Sequence, residues 1–396
     1  MRIGLLTYFW DDNPGQFFQA LATVHALRRV FAGAEVEIPD VRHCAQTGRG
    51  LSRRDMLMRP WRNLHRARAR AAYDRARSQH LPIRGSQMVT DDPVAAVSEI
   101  SRRGYDLVVV GGDVTLLLWR DGPRRARNGL PPLYWLAGSL GVPRAMLASS
   151  SHTTRYSELN DEQRQLMKLG LSGFSFLAVR DPLTKELLES LGTARVPIHL
   201  VPDPTFAYEV DPAPARAFCE RLRSAWRQPV CGLHIPWKTP FACRLVELLR
   251  RDFEIVELGT HYRGCRHLLG LGPFEWSGIY SCFDLHVTTS FHEAIFCLKQ
   301  GVPVFTLEGS PERYDHHTWT SKAYFLHEEF DLLEQHYFNP YRNGTTAESV
   351  SSQIVRSWQR FDADAARQRA RDLGDRYLEV AESLRRSLPG VIAHNE

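Results

Sequence analysis

The stretch DLHVTTSFHEAIFCLKQGVPVF, residues 284–305, decides how the chain is read. It opens on a short apolar run, breaks at Thr289-Ser290, and continues over residues 291–299 with apolar side chains at helical spacing. Gly301 and Pro303 then end the helix and a second apolar run begins. A strand, a covering helix and a second strand in that order make a parallel crossover unit. Working outward, DLVVVGGD (106–113) is a buried strand ending in a glycine pair, and RIGLLTYFW (2–10) has the unbroken apolar character of a strand covered on both faces. A polar turn and helix-spaced apolar residues over 17–31 follow it. Further strands are expected at 36–38, 143–149, 176–180, 199–202, 230–235, 254–258 and 302–307. Two successive runs of alternating strand and helix predict an α/β protein of two Rossmann-like, doubly wound domains facing a cleft. We place the first at residues 1–210, the second at 211–345 and a helical tail at 346–396, with 211–228 read as linker.

Composition sets the outer limits. The 396 residues are 43% hydrophobic and 24% charged, which excludes disorder and leaves ample material for two cores. No apolar run approaches the ~20 residues that span a bilayer. The opening apolar stretch is too short for a signal-peptide core and runs into Asp11 and Asp12, so a cytoplasmic protein is expected. Seven cysteines, none in a C-x-x-C pair, predict reduced thiols with neither a zinc site nor a disulfide. Net charge is only +5, yet residues 49–84 hold eleven arginines against Asp55 and Asp74, so this one segment is basic and the rest is slightly acidic. We read it as a helical insertion in the first domain, with Met56, Leu57, Trp61 and Leu64 as a narrow apolar stripe. Trp61 and Tyr73 are too few for base stacking, so no nucleic-acid partner is expected. A solvated helix face, or attraction to anionic lipid head groups or a lipid-pyrophosphate-linked sugar, fits better. The adjacent His316 and His317 lack the i, i+4 spacing of helical metal sites, and no metal is expected.

Four blocks, in order along the chain, carry a resemblance. They are IGLLTYFWDDNPGQFFQALATVHALR (3–28), VVVGGDVTLLL (108–118), FLAVRDPLTKELLESLG with HLVPDPTF (176–192 and 199–206), and PFEWSGIYSCFDLHVTTSFHEAIFCLKQGVPVF (273–305). Together they resemble the polysaccharide pyruvyl transferase family over residues 1–310, in the branch with a D-N-x-G opening and a Ser-Phe-His motif. The last block is the most specific of the four. The resemblance implies two Rossmann-like halves similar to B-type glycosyltransferases, an acceptor side in the first and a donor side in the second. It implies transfer of a pyruvyl group from phosphoenolpyruvate, as donor substrate and without a cofactor, to two hydroxyls of a cell-surface glycan or its lipid-linked precursor. The alternatives are a nucleotide-sugar glycosyltransferase on the same architecture and a glycan-binding relative without turnover.

His292 is the expected acid, because it follows a strand, opens a helix and titrates near working pH. Phe291 and Glu293 flank it, where first-turn amides can hold phosphate. Many family members carry Arg two positions before this histidine; here the position is Ser290, so a charge partner for the donor must come from elsewhere. Arg180, at a strand end, is the first candidate against the plainer reading of a structural ion pair, with Lys299 and Arg313 behind it. Asp12 is a candidate to activate a sugar hydroxyl, with Asn13 and Gly15 beside it, although this loop also reads as a helix cap. Gly111, Gly112 and Asp113 offer a close backbone approach to a ligand or a plain tight turn. Ser150 lies in an expected ligand-facing loop, and Glu275 and Trp276 are candidates for donor or sugar contact, or for a cap and core.

Overall fold

Buried β-branched runs alternating with amphipathic helices give a parallel α/β chain, and each described strand pairs with its neighbours in parallel. The computed structural model describes residues 1–42, 60–90, 92–118, 133–135, 140–152, 154–192, 195–259, 261–309 and 321–388. It divides into two units: unit 1 takes the described residues within Met1–Leu51, Asp74–Tyr208 and Leu373–Glu396, and unit 2 those within Ser52–Tyr73 and Glu209–Asp372.

Unit 1 carries a seven-stranded sheet. Its strands are β1 (Arg2–Leu6), β2 (Glu35–Arg42), β3 (Ile83–Val89), β4 (Leu107–Gly111), β5 (Arg144–Ser149), β6 (Phe176–Val179) and β7 (Ile198–Leu200). The order is β3-β2-β1-β4-β5-β6-β7, so the chain leaves β1 in one direction, returns, and continues past β4 in the other. That reversal is the topological switch point. The helices are α1 (Pro14–Val30), the end of α2 (Pro60–His80), α3 (Pro93–Arg102), α4 (Asp161–Leu171) and α5 (Pro182–Leu191). Phe17, Phe18 and Leu21 of α1 are buried, as are Ile3, Leu5 and Val108–Val110 of the two central strands.

Unit 2 repeats the plan with β8 (Val230–His234), β9 (Glu254–Glu257), β10 (Arg266–His267), β11 (Leu285–Thr288), β12 (Val304–Leu307) and β13 (Tyr337–Phe338), in the order β10-β9-β8-β11-β12-β13. Its helices are α6 (Arg216–Ala225), α7 (Pro240–Leu249), α8 (Pro273–Gly278), α9 (Phe291–Gln300), α10 (Lys322–Glu329), α11 (Leu333–His336), α12 (Ala347–Ser357) and the start of α13 (Ala363–Arg386). Leu245 and Leu249 of α7, Val350 and Ile354 of α12, and Leu285, Val287, Phe305 and Leu307 of the sheet share one core. Gly301, at φ +70°, ends α9 in the left-handed conformation that only glycine takes without strain.

Several expectations are corrected. Residues 211–228 are not a linker; α6 lies there as part of unit 2. The expected tail divides, with α13 passing from unit 2 into unit 1 at Leu373, and α2 is likewise shared, passing at Asp74. A strand, β3, was overlooked because its side chains are mostly exposed and lack an apolar run. Met56 and Leu57 of the expected stripe, and the side chain of Trp61, lie outside the described residues, while Leu64 is exposed; the side chains that α2 buries are Asn63, Tyr73, Ala76 and Arg77. Arg313 and the His316–His317 pair also fall outside them. Cys219 of α6 and Cys282 form a disulfide across 63 residues, so reduced thiols throughout was the wrong reading; spacing in sequence does not reveal which thiols meet in space. Cys231, Cys243, Cys265 and Cys297 are free thiols.

Candidate active site

In open α/β sheets, ligands bind beyond the carboxyl ends of the strands at the switch point. In unit 2 that point lies between β8 and β11, whose last residues His234 and Thr288 are register partners. Thr289 N–H donates to the His234 carbonyl at 3.1 Å, fixing the turn from β11 into α9. Ser290 then caps α9 without using its hydroxyl as the cap acceptor, its own N–H donating to Thr288 Oγ1 at 2.9 Å. His292 stands in the first turn, half-buried, its ring edge-on to Phe291 at 5.3 Å.

The centre of the cluster is Glu293, whose side chain is 3% exposed. Its Oε1 lies 2.6 Å from His234 Nδ1, and its Oε2 lies 2.8 Å from His286 Nε2 while accepting from Thr288 Oγ1 at 2.7 Å. Burial would raise the carboxyl, but the charges and hydrogen bonds of His234 and His286 outweigh that and hold it well below the usual carboxylate range. For His234 the balance runs the other way. Burial favours the neutral ring, yet the charge and hydrogen bond of Glu293, with the charge of Glu257, raise the imidazole above its ordinary value. His234 keeps 29% of its side chain exposed, so this pair connects a buried anion to the surface through one ring. The sequence pattern singles out His292 and Glu293 as candidates but not His234 or His286. Both sit on apolar strands, and only the register that sets β8 beside β11 brings them to one carboxylate.

A second buried carboxylate, Glu257, ends β9. Its Oε1 accepts from the His261 backbone at 2.6 Å and lies 2.8 Å from His261 Nδ1. Its Oε2 accepts from the Tyr262 backbone at 3.0 Å and lies 3.1 Å from His267 Nδ1. Beside it is a cavity of about 200 Å³ lined by His65, Arg66, Ala69, Gly259, His261, Leu269 and Gly270.

The remaining candidates separate clearly. Glu275 accepts from Gly272 N–H at 2.5 Å, closing the first turn of α8, and Trp276 packs at 5.1 Å from the Phe296 ring. Asn13 and Gly15 form the α1 cap, with Asn13 Oδ1 accepting from Gly15 N–H at 2.9 Å. Asp12 is more open, its side chain 42% exposed and 3.4 Å from Arg77 Nη2. Ser150, expected to face a ligand, is fully buried, its Oγ accepting from His152 N–H at 3.1 Å and its N–H donating to the Asp113 carbonyl at 3.0 Å. Gly112 (φ +69°) and Asp113 (φ +48°) end β4 in the left-handed region, as do Ala148 (φ +60°) and His152 (φ +53°) around the end of β5. Non-glycine residues held there cost of order 1–3 kcal/mol each, so this edge of unit 1 stores backbone strain. A β-carbon on Gly111 would sit 2.9 Å from the Leu147 carbonyl oxygen, so that glycine is needed for close strand packing.

Arg180 lies in unit 1 with its side chain 3% exposed, and its Nη1 is 2.6 Å from Asp203 Oδ2. The same carboxylate accepts from Gln19 Nε2 at 2.7 Å and from the hydroxyl and backbone N–H of Thr205. Its charge is met, and the geometry is that of a strand-end ion pair.

A family model described as polysaccharide pyruvyl transferase matches residues 13–311, a span that begins just after β1 and contains the whole unit 2 switch point. The chain belongs to the polysaccharide pyruvyl transferase family. No curated protein matches it. Among solved structures, Anabaena HepE, crystallised with UDP and glucose, is 12% identical with a TM-score of 0.52, covering 98% of this chain and 100% of that one. The UDP-GlcNAc 2-epimerase of Methanocaldococcus jannaschii is 13% identical with a TM-score of 0.51, covering 94% and 99%. At such identities what is shared is the fold, two parallel-sheet α/β units. Among the described residues of this family member, no helix is long and apolar enough to cross a membrane.

Proposed function

We propose that the chain transfers the pyruvyl unit of phosphoenolpyruvate to two hydroxyls of one sugar in a polysaccharide or its lipid-linked precursor, releasing phosphate and closing a cyclic ketal. The observation that carries this reading is the placing of His292 in the first turn of α9 at the unit 2 switch point, inside the family match. Protonated His292 delivers its proton to the methylene carbon of the donor, which becomes the methyl group. The adjacent carbon, now oxocarbenium-like, is attacked by the first sugar hydroxyl, whose proton returns to the imidazole. Cleavage of the bond to the phosphate oxygen expels phosphate, and the second hydroxyl adds to the same carbon. Its proton leaves on the departing phosphate, so the two hydroxyl protons end on carbon and on phosphate. The positive end of the α9 dipole favours an anionic donor at this place.

The test is phosphate release from phosphoenolpyruvate across a panel of glycans, with the ketal identified by mass. Release that requires a particular glycan supports the reading; no release with any acceptor opposes it. A glycosyltransferase reading draws on HepE, which shares the fold and was crystallised with UDP and glucose. Calorimetric titration separates the two: saturable UDP binding without phosphoenolpyruvate binding would favour the glycosyltransferase.

A further inference from the structure

A donor carrying a carboxylate and a phosphate needs a cation, and position 290, two residues before His292, is a serine that supplies none. Arg180 lies in unit 1 with its charge met by Asp203. Beside the first turn of α9, the structure offers another group. His234 presents Nδ1 to Glu293 at 2.6 Å, while no described residue partners its Nε2. A carboxylate on Nδ1 decides the tautomer: in the neutral ring the single proton sits on Nδ1, so Nε2 is an acceptor. Nε2 carries a hydrogen only in the imidazolium, which is the form a neighbouring carboxylate stabilises.

We propose that imidazolium His234, oriented by Glu293, is the cation that binds an anionic oxygen of the donor. The assignment rests on phosphoenolpyruvate being the donor. Glu293 is the positioning residue, anchored on its far oxygen by His286 and Thr288 so that its near oxygen stays on His234. The charged groups that act on the His234 ring are Glu293 on α9 and Glu257 at the end of β9, and His286 on β11 shares Glu293 with it. The two carboxylates favour the charged ring. It follows that donor binding weakens as pH rises through the His234 titration, and that a permanent cation at position 290 removes this dependence.

The test is calorimetric titration of the full chain with phosphoenolpyruvate, from about pH 5.5 to about pH 8.5, across the histidine range. The donor's own phosphate gains its second charge near about pH 6, which favours binding at higher pH. This acts equally on every variant, so the comparison between proteins isolates His234. In His234→Gln, affinity at the acid end should fall about 10- to 150-fold, the loss expected for a charge-assisted hydrogen bond, and the protein's share of the pH dependence should vanish. Glu293→Gln should move the weakening to lower pH. Adding Ser290→Arg to His234→Gln should restore affinity and hold it across the range. Wild-type affinity in His234→Gln, or no recovery in the double variant, overturns the proposal. If His234→Gln does not fold, as judged by its melt, Ser290→Arg in the wild-type background decides: a flattened pH profile supports the proposal and an unchanged one overturns it. Wild-type protein that binds no phosphoenolpyruvate at any pH overturns the donor reading itself, and this assignment falls with it.

Discussion

The two units end their sheets in buried acid–base pairs of opposite kind. In unit 1, Arg180 and Asp203 are both nearly unexposed, and Gln19 and Thr205 supply the carboxylate's other hydrogen bonds. In unit 2, Glu293 is as deeply buried, but one of its partners is a histidine that keeps 29% of its side chain exposed. A guanidinium stays charged throughout the working range and an imidazole does not. The unit 1 pair is therefore a fixed ion pair, while the unit 2 pair contains a titratable ring that is partly open to solvent. The same sheet topology ends in a permanently charged pair in one unit and a titratable pair in the other.

That contrast can be broken most directly at His292. His292→Ala removes the proposed proton donor without touching the Glu293 hydrogen bonds, so turnover should fall on the order of 10²–10⁴-fold while the thermal melt stays in place. Phosphate release by the variant near the wild-type rate would remove His292 from the mechanism. At Arg180 the expected loss is of stability. Arg180→Ala leaves the buried Asp203 charge without its cation, which should cost roughly 3–5 kcal/mol in urea denaturation. Should the variant instead keep its stability and bind phosphoenolpyruvate about 10- to 150-fold more weakly, Arg180 would be the donor's cation and the contrast between the units would disappear.

A smaller effect is readable in pH. Glu293 has a depressed folded-state value, so its contribution is present above the ordinary carboxyl range near ~4.3 and is lost as pH falls below it. His234 is raised, so its contribution is complete below the ordinary imidazole value near ~6.5 and is lost as pH rises through the folded value. The stability gap between wild type and Glu293→Gln should therefore be widest between about pH 4.5 and 6.5, at roughly 1–3 kcal/mol, and close on both sides. A gap that is flat from acid to neutral pH would mean that the pair does not titrate as a unit.

Much of this fold was legible because buried parallel strands announce themselves: 106–110, 230–235, 284–288 and 302–307 each read as strands and lie on or against the sheet. The edge strand β3 did not, since an exposed strand has no apolar run to detect. At the site, a histidine after a strand and at the start of a helix was visible in one line of sequence. Glu293 was visible only as its neighbour, and its partners were hidden for a physical reason: His234 and Glu293 are 59 residues apart and meet only through β8–β11 pairing. The cap residues show the converse ambiguity. Asn13 and Glu275 have the chemistry of ligands, yet helix N-termini require the same side chains for their unpaired amides.

The weakest expected effect concerns α2, which belongs to neither sheet edge. Asn63, Tyr73, Ala76 and Arg77 bury one side of this helix, and Arg66, Arg68, Arg70 and Arg75 are exposed. Acidic residues are almost absent from the stretch, so the exposed charges are poorly offset by neighbours along the helix. A basic exposed helix of this kind should be drawn to vesicles containing anionic lipid, with ~1 kcal/mol for each arginine that reaches the surface. A Debye length near ~8 Å at physiological ionic strength limits how many contribute at once, so binding should weaken as salt is raised. Reversing Arg66, Arg68, Arg70 and Arg75 to Glu should abolish co-sedimentation with anionic vesicles. Turnover on a short soluble acceptor should survive, because none of the four touches the Glu293 cluster. Arg66 also lines the cavity beside His261, so the other three should be reversed separately. If those three suffice, the attraction is a property of the helix face. If only the set that includes Arg66 responds, the cavity itself holds the anion. Equal sedimentation with neutral and anionic vesicles, or none with either, would make α2 an ordinary solvated helix and leave a lipid-linked acceptor without support from this segment.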